Sequence, residues 1–323
     1  MQPFQTLLSV SAMLAVFIGH ATAQTAADYP AKPVRVLVAA ASGGASDLLA
    51  RMLAQKLSES LKRQFIVDNR SGGAGVPCYD LAAKSLADGY TILMTSSAFV
   101  YGPALYPEFP DPIRDYAPIS LSTKAPYLLI DHPAVAASSV KDLIALARTK
   151  PGMLNMGVTN AGFTHVATAY FASAANMKIT IIPYKGSGQI MIDTMAGRLD
   201  AGFVNVLSTL PHIRSGKLRA LAISSAERSS VMPELPTIAE SGVPGFSISS
   251  WFGWTAPTRT PAAILSKLSS ELAKAVRHSD VVKNLAEDGG QAIGSTPEEF
   301  RKFIAAETPR WSKVVKDSGM RVE

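Results

Sequence analysis

Residues 34–53 read Val-Arg-Val-Leu-Val-Ala-Ala-Ala-Ser-Gly-Gly-Ala-Ser-Asp-Leu-Leu-Ala-Arg-Met-Leu, and this stretch decides the fold. Its valines alternate as in a buried strand, which Gly43-Gly44 bring to an end. Apolar residues then recur at helical spacing from Leu49, with Ser46 or Asp47 as the predicted N-cap. Backbone N–H groups at such a helix start favour an anion. The stretch predicts either a site for one end of a small carboxylate or a plain strand-to-helix connection of an α/β sheet.

Alternating strands and helices continue outward from this stretch and predict an α/β fold with mostly parallel sheets. Prolines crowd residues 101–118, which are therefore predicted as a loop. The C-terminal part is helical, and Thr296-Pro-Glu-Glu299 is a typical helix start. Because the first strand–helix series has few helices of its own, we expect these helices to return and cover it. The predicted domains are residues 30–124 with 250–323, and residues 125–249, with a small-molecule cleft between them.

Composition indicates an exported protein that is held together by its core. The chain has 323 residues, 47% of them hydrophobic, and a scattered net charge of +6 that does not indicate a nucleic-acid surface. Residues 1–23 lack charged side chains and end in Ala21-Thr-Ala23, which predicts a signal peptide cut after Ala23 and an exported protein. Cys78 is the only cysteine, so it cannot form an internal disulfide and is predicted to be a small packed residue.

The sequence contains no recognisable catalytic or cofactor-binding set. It has no G-x-S-x-G, H-E-x-x-H, C-x-x-C or Walker A pattern, and its histidines lack metal-ligand spacing. Gly73-Ala-Gly75 and Gly186-Ser-Gly188 are incomplete dinucleotide fingerprints. These absences predict a protein that is not an enzyme and that has no metal and no cofactor.

Polar turns of small residues follow several predicted strands. Ligands of open α/β sheets bind outside the carboxyl ends of the strands, and hydroxyl and N–H donors there suit a carboxylate. His165 is a candidate either for donating to the ligand or for capping a helix. Phe163 and Trp251 are candidates either for lining the ligand or for core packing, and Lys185 for either a ligand contact or a surface or hinge pair. The polar turns that follow the predicted strands are Ser42-Gly-Gly44, Ser96-Ser97, Thr159 to His165 and Lys185-Gly-Ser187.

Short motifs along nearly the whole mature chain resemble the Bug-type, TctC-like extracytoplasmic solute receptors, the periplasmic component of tripartite tricarboxylate transporters. The resemblance implies a two-domain type II periplasmic-binding-protein clamshell that closes on a small organic carboxylate and serves a membrane permease. It also implies that turns of both domains hold the carboxylate through backbone groups, hydroxyls and waters. The motifs are Tyr29-Pro-Ala-Lys-Pro33, Gly43-Gly-Ala-Ser-Asp47, Asn69-Arg70, Asp88-Gly-Tyr-Thr91, Pro183-Tyr-Lys-Gly186, Pro211-His-Ile213, Pro236-Thr-Ile-Ala-Glu240, Trp251-Phe-Gly253 and Ser295-Thr-Pro-Glu-Glu-Phe300.

One departure from the family pattern concerns the ligand. Val204 precedes Asn205 where the family often has an acid. We interpret this as the loss of a partner for a ligand ammonium, which favours an uncharged or aromatic carboxylate over an amino acid. The predicted ligand contacts are Ser42, Gly43, Gly44, Ser96, Ser97, Asn160, Gly162, Phe163, Thr164, His165, Lys185, Asn205 and Trp251.

Two other functions use the same sequence features. A sensory receptor that presents its closed form to a signalling partner requires the same clamshell as a transport receptor. An α/β enzyme acting on a small acid is a weaker alternative because the catalytic sets are missing. The receptor is expected to act as a monomer.

Overall fold

The computed structural model describes residues 28–160, 162–184, 186–287, 289–318 and 320, without the side chain of Leu207. The predicted signal peptide and Lys185 lie outside the described residues. The strands are β1 Val34–Val38, β2 Phe65–Asn69, β3 Thr91–Ser96, β4 Tyr116–Ala125, β5 Tyr127–Asp131, β6 Asn155–Thr159, β7 Thr180–Tyr184, β8 Ala201–Asn205, β9 Arg219–Ile223, β10 Ser250–Pro257 and β11 Gln291–Ala292. The helices are α1 Ala45–Leu61, α2 Val76–Lys84, α3 Ala98–Leu105, α4 Val140–Thr149, α5 Phe163–Ala174, α6 Ser187–Met195, α7 Val206–Arg214, α8 Ala262–Val276, α9 Ser279–Glu287 and α10 Pro297–Ser318.

The strands form two sheets, each flanked by helices, which confirms the two-domain α/β clamshell. Lobe 1 has a six-stranded sheet in the order β11-β4-β10-β3-β1-β2, and lobe 2 has a five-stranded sheet in the order β7-β6-β8-β5-β9. Both sheets are mixed, whereas the strand–helix alternation predicted mostly parallel ones. Strands β1 to β3 and β6 to β8 pair in parallel, but β10 and β5 run antiparallel to their neighbours. The reason is that β5 and β10 are the first strands after the chain crosses between lobes, so they start at the edge where their neighbours end.

The crossings define a hinge that brings one edge of each sheet together. In lobe 1, Ser250 at the start of β10 pairs with Ala125 at the end of β4. In lobe 2, Tyr127 at the start of β5 pairs with Asn205 at the end of β8. Only Pro126 separates β4 from β5. The carboxyl ends of β1, β3 and β4 therefore lie on the lobe 1 edge that borders the hinge, and those of β6, β7 and β8 lie on the corresponding edge of lobe 2.

The lobes are packed together on one side of this hinge. Helix α10 lies against α3 of lobe 1 and α5 of lobe 2, and one apolar cluster runs through all three helices. Helices α1 and α8 cover the other face of the lobe 1 sheet in a separate cluster, and a third cluster fills lobe 2 around Ile190. The C-terminal helix therefore joins the two lobes, as well as covering lobe 1 as the sequence predicted.

The predicted loop over residues 101–118 is wrong at both ends, where α3 continues to Leu105 and β4 begins at Tyr116. Helix α3 is the larger departure. It spans Ala98–Leu105 and contains Pro103 in its last turn. Proline there removes a single N–H donor, while Phe99 and Val100 are fully buried within the apolar cluster. Burial of these side chains therefore outweighs the local cost of the proline.

Candidate ligand-binding cleft

The facing edges of the two sheets are rich in helix amino-termini. Helices α1 and α3 follow strands that end at the lobe 1 edge, and α5, α6 and α7 follow strands that end at the lobe 2 edge. Each helix start carries N–H groups without intrahelical partners and a partial positive charge of about half an elementary charge. The region between the edges therefore has an electrostatic potential that favours an anion.

The lobe 1 turn at Ser42–Gly44 is held by Asp47. Gly44 is the N-cap of α1, so the predicted N-cap at Ser46 or Asp47 is wrong. The buried Asp47 carboxylate instead accepts a hydrogen bond from the Gly43 N–H at 2.8 Å and pairs with Arg51 Nε at 2.9 Å. Both contacts, Arg51 first, hold the Asp47 pKa below its usual range. Gly43 has a φ of +85°, which glycine adopts readily, and its N–H is already engaged.

The polar groups around the rest of this turn are tied together by Asn69. Asn69 Oδ1 accepts from Ser42 Oγ at 3.2 Å and from an Arg51 guanidinium nitrogen at 3.0 Å. Its side-chain amide donates to the Ala40 carbonyl at 3.1 Å. The loop after β1 is therefore fixed to the end of the neighbouring strand β2, which positions the exposed Gly44 and Ser42 at the edge of the cleft.

The second lobe 1 turn, Ser96-Ser97, leads into α3. Ser97 is buried, and its hydroxyl accepts from the Trp251 backbone N–H at 3.3 Å. Trp251 is 2% exposed and packs edge-on against Phe300 and Phe303 of α10. The structure therefore places Trp251 in the core of lobe 1, whereas Ser96 remains half-buried at the end of β3.

The lobe 2 turn runs from Asn160, which is exposed, through Gly162 into α5. Thr164 Oγ1 accepts from the Thr159 N–H at 2.9 Å and thereby fixes the turn. His165 is half-buried, and its Nδ1 has no hydrogen-bond partner within the described part of the chain. Burial lowers the pKa of His165 below its ordinary value, so the imidazole is neutral at pH 7.

Phe163 lies in an aromatic cluster that joins the lobes. Its ring is 6.2 Å from Tyr101 of α3, 5.8 Å from Tyr127 of β5 and 5.2 Å from Trp311 of α10. Since Tyr101 belongs to lobe 1 and Phe163 to lobe 2, the starts of α3 and α5 are held close together. This cluster connects the turns at Ser96-Ser97 and Gly162–His165.

A cavity of about 310 Å³ opens beside the hinge, between α1, α9 and the start of β5. Asn205 lies on its wall and is the predicted contact that the structure brings to this cavity. The other wall residues come from hinge strands and helix sides that carry no turn signal in the sequence, and the sequence reasoning missed them. They include Ala45, Leu48, Met52, Thr123, Tyr127, Ser250, Phe252 and Leu285.

Val204 does not face the cleft. It is 1% exposed and packs in the lobe 2 core with Leu128 and Ile130. Because the Val204 side chain is buried in the core, it does not contact a ligand in the cleft. The structure therefore does not support the interpretation that Val204 selects against a ligand ammonium. Any preference for uncharged ligands has to come from other residues.

The described ranges also bear on metal binding, membrane spanning and the single cysteine. There, His, Cys, Asp and Glu side chains do not form a group of three or more that could hold a metal ion. In the same ranges, no helix is both long and apolar enough to cross a membrane. Cys78 is buried at 1% exposure, as predicted, and burial raises its pKa to about 11.

Comparisons with known proteins agree with this architecture. The sequence profile described as tripartite tricarboxylate transporter family receptor matches residues 49–320. BugT of Bordetella pertussis is 37% identical over 98% of both chains. A Rhodopseudomonas palustris protein determined with adipate is 35% identical, superposes with a TM-score of 0.77 and covers 91% of this chain and 99% of its own. MatC of the same species, determined with bound malate, is 26% identical with a TM-score of 0.75, covering 89% of this chain and 100% of its own.

Proposed function

Because this chain belongs to the tripartite tricarboxylate transporter receptor family, we propose that it is a periplasmic receptor that captures a small organic carboxylate between its lobes and delivers it to a membrane transporter. The adipate and malate of the two structural neighbours support a carboxylate as the ligand. The proposal includes cleavage of the signal peptide after Ala23 and lobes of residues 30–124 with 250–323 and of residues 125–249.

The observation that carries the proposal is the meeting of helix amino-termini at the facing sheet edges. A partly buried helix start stabilises an anion by roughly 0.3–2 kcal/mol, and a charge-assisted hydrogen bond adds roughly 1.5–3 kcal/mol. A few such contacts, less the cost of ordering, suit a micromolar complex near −8 kcal/mol, which is strong enough for capture and weak enough for release.

We assign the carboxylate contacts to the exposed or half-buried groups of the predicted set. These are Ser42, Gly44, Ser96, Asn160, His165 and Asn205, with Lys185 as a further candidate. Gly162 acts indirectly, because its N–H already donates to the Thr159 carbonyl at 2.9 Å. Four other residues of the predicted set support the contact residues without touching the ligand. Their rings pack in the core or their hydroxyls hold the turns: Phe163, Thr164, Ser97 and Trp251. The Gly43 N–H also acts indirectly, through Asp47.

A charge introduced at Asn205 tests this proposal. Asn205→Asp keeps a good N-cap residue at the start of α7 and adds a negative charge on the cavity wall. Coulomb repulsion from a bound carboxylate a few ångströms away is roughly 1–4 kcal/mol, so we expect at least fivefold weaker binding. Asn176→Asp is the matched control, because Asn176 is exposed beyond the opposite end of α5 from the cleft.

Thermal-shift screening of the mature protein with carboxylates supplies the ligand for this comparison. A ligand at a hundred times its Kd adds about 2.7 kcal/mol to the free energy of unfolding. The proposal fails if no carboxylate stabilises the protein, or if Asn205→Asp binds the carboxylate as tightly as the wild type does.

A further inference from the structure

We infer that the ligand is a carboxylic acid with a single carboxylate and an apolar body, and that the body lies in the cavity between α1 and α9. This inference rests on the proposed function and specifies its substrate class. It follows from the side chains on the cavity wall and does not use the sequence interpretation of Val204.

One side of α1 forms the first apolar wall. Ala45, Leu48 and Met52 are spaced three and four residues apart, so they share one face of the helix, and all three line the cavity. Leu48 is 58% exposed although it is a large aliphatic residue at this opening. A ligand that covers Leu48 would remove its apolar surface from water, which is favourable.

The second wall comes from α9 and β10. Leu285 of α9 and Phe252 of β10 line the cavity, and both also pack partly against the lobe 1 core. One turn beyond Met52, Lys56 Nζ pairs with Asp280 Oδ2 at 2.9 Å and ties α1 to α9. This ion pair joins the two helices that carry the apolar walls at a point outside the cavity.

Most polar groups of the cavity come from the hinge strands, and Asn284 adds one from α9, beside Leu285. Thr123, Tyr127, Asn205 and Ser250 line it near the hinge crossings, and Phe252 of the second apolar wall is the cross-strand neighbour of Thr123. None of the described residues that line the cavity carries a charged side chain. A carboxylate near the hinge meets the Asn205 amide and the start of α7. A second carboxylate along α1 and α9 would lie against Leu48, Met52 and Leu285, with no cationic side chain among the described wall residues.

The cavity volume is compatible with this assignment. At about 310 Å³, it is at the lower end of the range of small-molecule pockets. An unpaired charge that loses water against an apolar wall is strongly disfavoured. Adipate and malate, the ligands of the structural neighbours, carry carboxylates at both ends, so this chain is expected to differ from them in ligand class.

Hexanoate and adipate are a matched pair of probes for calorimetry, because they have the same number of carbons and differ by one carboxylate. We expect hexanoate to bind the mature protein at least tenfold more tightly than adipate. Equal or tighter binding of adipate would overturn the inference and leave the proposed carboxylate receptor in place. Absence of binding by every carboxylate in the screen would overturn both.

Substitutions at Leu48 test whether the apolar body of the ligand lies against this side chain. Leu48→Asn should weaken hexanoate binding by roughly fivefold, which corresponds to burying about half of a leucine side chain. Leu86→Asn is the control, since Leu86 is 78% exposed and lies outside the cavity. Leu48→Arg places a cation at the apolar end and should shift the preference toward adipate. An unchanged hexanoate-to-adipate ratio in Leu48→Arg contradicts the assignment of this wall.

Discussion

The substitution Phe163→Ala distinguishes two roles of this side chain at the cleft. One is packing between the lobes, and the other is contact with the ligand. The side chain is 9% exposed, and its ring packs against Tyr101, Tyr127 and Trp311. Phe→Ala at a buried site costs roughly 3–5 kcal/mol, of which aromatic pairing accounts for roughly 0.5–1.5 kcal/mol per pair. Against a total stability of roughly 5–15 kcal/mol, this is a large loss.

We therefore expect Phe163→Ala to lower Tm by roughly 10 °C, given 2–4 °C per kcal/mol for domains of similar size. The emission of Trp311 should also shift to longer wavelength, because its ring lies 5.2 Å from Phe163 and would become accessible to water. Thermal unfolding measures Tm, and native emission spectra, recorded in a background in which Trp251 and Trp254 are replaced by Phe, measure the shift of Trp311.

Phe171→Ala is the control for this measurement. Phe171 is fully buried but contacts Phe203 and Phe246, both within lobe 2. It should cost a similar free energy of unfolding and leave the Trp311 environment intact. The packing role is refuted if Phe163→Ala shifts Tm by less than about 2 °C while hexanoate affinity drops more than tenfold, since 1 kcal/mol already corresponds to 2–4 °C.

Three further predictions concern packing, thiol reactivity and pH. Gly253→Ala should destabilise the protein by roughly 1–3 kcal/mol in urea unfolding, because a Cβ there would come within 2.3 Å of the Phe300 ring. Gly188→Ala, with nothing within 4 Å of its Cβ, is the control, and equal stability of the two variants would contradict the packing argument. Cys78 should resist a maleimide at pH 8 in the native protein and react after unfolding, since burial raises its pKa to about 11; rapid native labelling would refute this. His165 has a lowered folded pKa, so its contribution to stability is present above the unfolded pKa of about 6.5 and is lost as the pH falls through the folded pKa. His165→Gln should therefore flatten the drop of Tm between pH 7 and about pH 5, and an unchanged slope would count against it.

Local patterns predicted most elements of this chain. Helical spacing from Leu49 predicted α1, and the predicted helix start at Thr296–Glu299 is a capping box with reciprocal hydrogen bonds of 2.8 and 3.2 Å. These features depend on residues that are neighbours in the sequence, so the sequence contains the information needed to predict them.

The errors arose where long-range packing competes with local preference. Pro103 indicated a break, but the burial of Phe99 and Val100 stabilises α3. Asp47 is a good capping residue by type, yet its carboxylate bonds to Gly43 and Arg51 and the N-cap is Gly44. A residue type alone does not determine which of several available partners a side chain selects.

The sequence by itself determined the order of strands and helices, the family and the presence of polar turns at the strand ends. Only the tertiary structure decided which side chains face the cavity. Thr123, Tyr127, Ser250 and Leu285 come from separate segments, and they meet because the chain crosses twice between the lobes and strands β4, β5 and β10 pair at the hinge. The spacing of apolar residues predicts which face of a helix or strand is buried. Which element packs against that face depends on where the chain crosses between the lobes, and local sequence patterns do not predict those crossings.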